Sequence, residues 1–373
     1  MDFQGQLSVS TEHPHPYHES LTLKNFTAFE EASFDFVPGI NVFIGENGTG
    51  KTHVMKVLYL EQMAYQLPSS EPEFASARWN ATPRISEYFQ VKSFAELQRV
   101  ARDSDDPFRL AGKYGGSDWT ESLSREKILG SVVGQPASAL INHGVARFAN
   151  RVPWLVPRPV LIPPFDVMSH TKGMLASIER FELDFDPCFG DLIVWVLSPL
   201  LRDQTQVDKH WTPELNKVLG GELIVDNERF YLHSEVGRQS ITLAAEGVRK
   251  IALLRRLLEV GALEPGTTLF WDEPEVGLNP KLMDELVKAL ILLARSGVQI
   301  FLTTHSYVIL KELDLQIAED DPIRYFLFEP TESSGTKVTP FDTLAEVHPN
   351  PILEQYQSLL DREIARNLGV REG

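Results

Sequence analysis

Nine consecutive residues, Gly45-Glu46-Asn47-Gly48-Thr49-Gly50-Lys51-Thr52-His53, set three glycines beside a lysine and a threonine. Every fixed position of the phosphate-binding loop, Gly-x4-Gly-Lys-Thr, is met. Glycines let a backbone curl until successive N–H groups aim at one anion. Lys51 adds a point charge for the outer phosphates, and the Thr52 hydroxyl is a hard oxygen of the kind Mg2+ prefers. The expected chemistry is the holding of a magnesium nucleoside triphosphate. Far along the chain, Asp272 and Glu273 close the apolar run "TTLFW". Ligands of parallel sheets gather at the carboxyl ends of strands. Asp272 is therefore expected to reach the Mg2+ shell, and Glu273 to face the γ-phosphate and hold the attacking water.

The elements that must position these groups show as patterns. "LTLKNF", "ASFDFV" and "INVFIG" alternate like strands, with a Pro38-Gly39 turn before the third. "INVFIG" ends at Gly45, and Val54, Val57, Leu58, Leu60 and Met63 then follow at helical spacing. The glycine-rich bend thus joins a buried strand to a helix whose positive end faces the same anion. A plain glycine turn that happens to hold a lysine lacks that context. "VQIFLTTHS" and "IRYFLFE" read as further buried strands, and "RPVLIPP" as a short one. "NPKLMDELVKALILLARSG" reads as an amphipathic helix with Pro280 near its start and Gly297 at its end. "SFAELQRVARD" looks helical, "YGGSDW" looks like a turn, and residues 175–219 read as mostly helical. "ELIVDNERFYLHS" reads as a hairpin turning at Asp226-Asn227, and "PILEQYQSLLDREIARNLG" as a closing helix.

Apolar strands alternating with helices mean a parallel sheet covered on both faces. The expected fold class is α/β: a P-loop NTPase, its mostly parallel sheet flanked by helices, with an inserted, partly helical lobe. Residues 1–20 are expected as a flexible tail, and residues 21–330 as one domain. Its core would come from about 21–65 and 240–330, with the lobe at about 66–239. Residues 331–373 would be a helical extension.

With 373 residues, 43% of them hydrophobic, the chain can bury a sizeable core. Lys and Arg number 35 against 52 Asp and Glu, a net charge of −17 that disfavours broad DNA affinity. One cysteine, Cys188, excludes an internal disulfide and a zinc ribbon and fits a reducing compartment. The start lacks a signal peptide's basic and apolar regions, and "LIVWVLSPLL" is too short for a bilayer, which takes about 20 residues. A cytoplasmic protein without a membrane span is expected. His13, His15 and His18 in "HPHPYH" read as a turn-rich tail rather than a metal site.

The ordered set "KNFTAFEEASFDFVPGINVFIGENGTGKTH", "AAEGVRKIALL", "LFWDEPEVGLNP" and "FLTTHS" resembles an ABC-type ATPase head. It is similar to the RecF, SMC and OLD branch, and in particular to compact bacterial AAA-15/AAA-21 ATPases. The likeness covers the N-terminal quarter and about residues 240–310. It implies ATP and Mg2+ as cofactors, and a homodimer or higher oligomer whose heads sandwich two ATPs. "AAEGVRK" stands where the signature motif stands, and Gly247 matches its glycine. Ala245 replaces the usual serine and removes a hydroxyl donor, which backbone N–H groups and Arg249 or Lys250 could offset. "EVGLNP" matches the D-loop, with Asn279 its polar member, and His305 matches the switch histidine that senses the γ-phosphate. Asp166, in "VLIPPFDVMSH", stands where an acid near the metal or its water is expected.

Three other readings make different demands of the residues. A GTPase needs Asn-Lys-x-Asp, and Asn216-Lys217-Val218-Leu219 lacks the acid. A small-molecule kinase would not need Glu273 followed by a D-loop. A nucleotide-gated scaffold with little turnover is favoured by Ala245. The expected role is an ATP-hydrolysing switch that controls a protein effector, nuclease-like by analogy, in DNA repair or phage defence. Direct DNA contact is left open.

Overall fold

The computed structural model describes residues 15–64, 87–91, 94–99, 108–123, 157–181, 185–201, 206–331 and 335–367. It opens on strands β1 (His18–Phe26), β2 (Phe29–Asp35) and β3 (Ile40–Gly45). β1 turns Leu21 and Leu23 inward and Lys24 outward, whereas β3 is buried at every position, as a strand covered on both faces must be. Helix α1 (Lys51–Ala64) starts where the glycine-rich bend ends. The next strands are β4 (Phe108–Tyr114), β5 (Ser117–Leu123) and β6 (Val160–Ile162). Helices α2 (Met174–Phe181), α3 (Pro187–Leu197) and α4 (Gln206–Leu219) lead to β7 (Glu222–Asp226), β8 (Arg229–Ser234) and β9 (Gly237–Ser240). Then come α5 (Glu246–Glu259), β10 (Thr268–Trp271), α6 (Pro280–Arg295), β11 (Gln299–Thr304) and α7 (Tyr307–Gln316). β12 (Ile323–Pro330), β13 (Thr336–Phe341) and α8 (Pro351–Asn367) complete the described chain.

The central sheet runs β13-β12-β3-β11-β10-β6, parallel throughout except for the antiparallel edge pair β12–β13. β11 therefore lies between the strand that feeds the glycine-rich bend and the strand that ends at Asp272. Pairing of Trp271 with Leu302 and of Thr304 with Ile44 brings all three carboxyl ends level. Alternation divides the sheet's faces by chemistry. Val42, Ile44, Leu269, Ile300 and Leu302 join the helices α5 and α6 in an aliphatic core. Phe43, Phe270, Phe301, Phe326 and Phe328 face α1 and the antiparallel sheet β2-β1-β4-β5. Their rings pack tilted, stacked or edge-on, as aromatic quadrupoles favour.

Several expected boundaries move. Residues 18–20 belong to β1, not to a tail, because His18 is buried under the sheet. β6 completes the central sheet and β4–β5 the antiparallel one, so part of both comes from the span expected as an insertion. Among the described residues of "SFAELQRVARD", Phe94–Leu97 form a single tight helical turn. The backbone around it is claimed by the rim of β1: Thr27 N–H donates to Leu97 O, and Arg99 N–H to Asn25 O. Residues 100–103 of that string lie outside the described residues. The span 331–373 contains β13, which pairs with β12, before its helix. The β7–β8 hairpin turns on Asn227 and Glu228, both at positive φ, one residue later than expected. Among the described residues, no helix is long and apolar enough to cross a membrane.

His18 gives the fold a pH limit. Its backbone exchanges two hydrogen bonds with the Gln299 side chain, and its ring lies against Tyr114, Phe270 and Phe301. Burial pushes its pKa down to about 3. The unfolded chain takes up this proton first as pH falls, so the stability it confers is complete above the usual histidine pKa and drains away below it. The slope contributed approaches about 1.4 kcal/mol per pH unit. His53, lowered to about 4 chiefly by burial, adds in the same direction. Urea unfolding midpoints should fall between pH 6.5 and 4, and His18→Asn should flatten that fall. Equal slopes for the two proteins would show that His18 is not the source.

Candidate functional site

The bend after β3 is shaped by close neighbours. A Cβ at Gly45 would stand 2.4 Å from Phe328 O, and one at Gly50 2.7 Å from Phe29 Cζ with φ at +90°. Only glycine fits either place. Glu46, Asn47 and Gly48 form the exposed crown of the loop, and Thr49 Oγ1 donates to Glu46 O at 2.8 Å. Lys51 is buried at the start of α1, where Nζ donates to Gly45 O (2.8 Å) and Glu46 O (2.7 Å). Burial lowers its pKa, and Asp272, Glu273, Glu275 and Glu46 oppose that shift. His53 lies on the side of α1 with its ring against Phe89, 5.4 Å between centroids.

Thr52 Oγ1 donates to Asp272 Oδ2 at 2.8 Å, joining the loop to the tip of β10. The other Asp272 oxygen accepts from Thr303 Oγ1 at 2.5 Å, and that hydroxyl accepts from Glu273 N–H at 2.9 Å. Glu273 itself sits at φ +48°, a left-handed conformation that costs a non-glycine residue about 1–3 kcal/mol. His305 Nε2 stands 3.5 Å from Glu273 Oε1, a contact too long to be a good hydrogen bond. Burial, with Lys51 second, lowers the His305 pKa, and Glu273 and Asp272 oppose that shift. Lys51, Thr52, Asp272, Glu273 and His305 thus form one contiguous group.

The other expected residues border it. Ala245 caps α5 without a side-chain bond, and Gly247 packs against Gly277 and Leu278, where a Cβ would meet Gly277 O at 3.3 Å. Asn279 caps α6 by accepting from Lys281 N–H. Asp166 pairs with Arg249 at 2.8 Å and accepts from Met168 N–H at 3.0 Å, so its carboxylate is engaged by α5 rather than by Thr52. Thr303 and Glu275 went unnoticed in the sequence, and Lys250, expected only as an offset for Ala245, grips the turn after β10 instead. Thr303 was recoverable, since β11 in register with β10 sets it beside Asp272. Lys250 donates to Glu273 O (3.4 Å) and Pro274 O (3.3 Å), and Glu275 accepts from the backbone of His305. Contacts to main-chain atoms leave no such signature.

A strand, a glycine-rich bend and a helix, joined through Thr52 to the acidic tip of a nearby parallel strand, define a P-loop nucleotide-binding fold. Comparison with known proteins agrees. The family model described as "AAA domain, putative AbiEii toxin, Type IV TA system" matches residues 174–311, and the one described as "AAA domain" matches 20–130. The second takes in the glycine-rich bend; the first takes in Gly247, Asp272, Glu273, Asn279 and His305. The chain is also similar to the DNA replication and repair protein RecF of Halalkalibacterium halodurans, 32% identical over 93 residues, 25% of this chain and 22% of that protein. RecF of Geobacillus kaustophilus is 35% identical over 77 residues, 21% of this chain and 19% of its own. The match therefore spans about a fifth of these relatives' length. Among solved structures, the SMC head domain from Thermotoga maritima overlays with TM-score 0.46 at 12% identity, covering 87% of this chain and 99% of that one. An Smc head domain bound to the C-terminal domain of ScpA, from Pyrococcus furiosus, overlays with TM-score 0.49 at 10% identity, covering 93% and 99%. The resemblance to AAA-21 ATPases and to RecF is borne out, and ATP is the nucleotide such domains imply.

Proposed function

We propose that this chain binds ATP with Mg2+ and hydrolyses it as a switch that assembles with a second copy of itself and governs a protein effector. The observation carrying this reading is the 2.8 Å hydrogen bond from Thr52 to Asp272, which sets hard oxygens from the first turn of α1 and the tip of β10 beside the buried Lys51. That donor set fits Mg2+, which takes one or two protein oxygens and completes its shell with phosphates and water. Bound there, the ion would neutralise charge developing on the phosphates. The N–H groups of residues 45–50 and the Lys51 ammonium hold and orient the triphosphate. Glu273 orients the attacking water and takes its proton, while His305 stands beside the γ-phosphate. Asp166, whose carboxylate is engaged by Arg249, stays outside this set. Phosphoryl transfer depends mainly on such positioning and charge stabilisation.

The exposed Ala245 at the front of α5 and the exposed Asn279 are the faces offered to the nucleotide of the second copy, with Gly247 buried behind them. Turnover per chain should then rise with protein concentration as pairs form. Steady-state rates measured beside particle mass test this. A rate that stays flat down to concentrations holding only monomer rejects the pairing. Calorimetry with ATP and GTP tests the nucleotide, and no uptake of either would end the whole reading.

The toxin named in one family description, and the repair protein named among the relatives, support an effector role in phage defence or DNA repair. The net charge of −17 opposes wrapping of DNA and suits a basic protein partner in the cytoplasm. Ala245 supports a second reading, a scaffold that binds ATP and scarcely hydrolyses it. Turnover that is equally low in the wild type and in Glu273→Gln would select the scaffold.

A further inference from the structure

Glu275 stands two residues beyond Glu273 and bonds to neither the loop nor Asp272. Its Oε1 accepts twice, from Thr304 Oγ1 at 2.8 Å and from His305 N–H at 2.6 Å. The Thr304 hydroxyl also accepts from Ser306 N–H at 3.0 Å, and Ser306 caps α7 through Ile309 N–H. One carboxylate oxygen thus orders the whole segment from Thr304 to Ser306. Its other oxygen, Oε2, is buried with no hydrogen-bond partner among the described residues. His305 Nε2 likewise has no hydrogen bond there. The imidazole is therefore aimed at Glu273 by its main chain and not by its own ring. Burial raises the Glu275 pKa, and the hydrogen bonds from His305 N–H and Thr304 oppose that shift by favouring the ionised form.

We infer that Glu275 is a positioning residue: it fixes His305 against Glu273 by locking the turn after β10 to the tip of β11. Glu273 and His305 end different strands, and sheet hydrogen bonds alone set their levels but not their facing. Val276 N–H donates to Glu273 O, and Leu278 N–H to Glu275 O. The turn that carries the lock is thus itself ordered. This inference rests on the reading of Glu273 and His305 as the hydrolytic pair.

The test compares Glu275→Ala and Glu275→Gln in the full chain, with Mg-ATP. Removing the anchor should lower kcat about 10²-fold, the scale of a small misplacement, with KM little changed. Glutamine keeps an acceptor oxygen and should restore most of the rate. In 15N-histidine-labelled protein, the His305 amide should lose exchange protection and shift in Glu275→Ala but not in Glu275→Gln. Turnover of Glu275→Ala close to wild type overturns the inference, as does parallel loss of kcat and binding in both variants. A wild-type chain that hydrolyses no ATP would refute the proposed function instead. The His305 amide then still decides: unchanged protection in Glu275→Ala overturns the positioning role by itself.

Discussion

Glu273→Gln is expected to stop almost all ATP turnover while leaving nucleotide affinity intact. The amide matches the carboxylate in size, and the backbone beneath it is set by Thr303 Oγ1 and by Lys250 on the carbonyl. The variant side chain therefore occupies the same place and loses only its capacity to take a proton. Loss of a positioned general base costs about 10²–10⁴-fold. Binding should persist because the loop, Lys51 and the Thr52–Asp272 pair are untouched. Phosphate release under saturating ATP, beside calorimetry on the same preparation, separates the two. A variant that turns over like the wild type would remove Glu273 from the chemistry. Assemblies that form on ATP should accumulate in this variant, which makes it the form in which to capture the effector.

Lys51→Ala is expected to act at the earlier step. Its ammonium is the cation gathered into a group of four acids, Asp272, Glu273, Glu275 and Glu46. Without it, the arriving triphosphate meets those acids with one fewer positive charge and loses a charged hydrogen bond. Such a bond is worth about 1.5–3 kcal/mol, which is about 10–10²-fold in Kd. Turnover should vanish at ATP concentrations that saturate the wild type. Because Lys51 also ties Gly45 O and Glu46 O together, Lys51→Met is the companion that keeps the aliphatic stem. Both variants should weaken binding alike if the charge matters. Wild-type affinity in the folded methionine variant would refute the phosphate role.

Much of the site was legible because its logic is local. Gly45, Gly50, Lys51 and Thr52 carry their function in spacing alone, and the apolar runs around them announce buried parallel strands. Thr303 needed one further step, the register of two such strands. The left-handed Glu273 was not legible. Its φ arises after Asp272 is drawn between Thr52 and Thr303, which no window of sequence contains. Glu275 was missed, and the grip of Lys250 on this turn was not foreseen, for a related reason: His305 N–H and the Glu273 carbonyl are main chain, common to all residues. Asp166 was read as an acid near the metal, and its pairing with Arg249 depends on how α5 docks. At the fold level, the short strand β6 was visible as "RPVLIPP". The pairing of β4–β5 with β1 joins residues too distant for pattern reading.

Gly247 and Gly277 have one more consequence. A single methyl at Gly277 would lie 2.3 Å from Glu246 Cδ, and one at Gly247 3.1 Å from Leu282 Cδ1. The front of α5 and the turn before α6 are therefore packed tooth to tooth, the Glu246 side chain over Gly277 and Gly247 against Leu278 and Leu282. Whatever meets this edge of the molecule meets both segments together. In chimaeras exchanged among such heads, residues 244–250 and 273–280 must travel together, and a graft of either alone should misfit before it misfires.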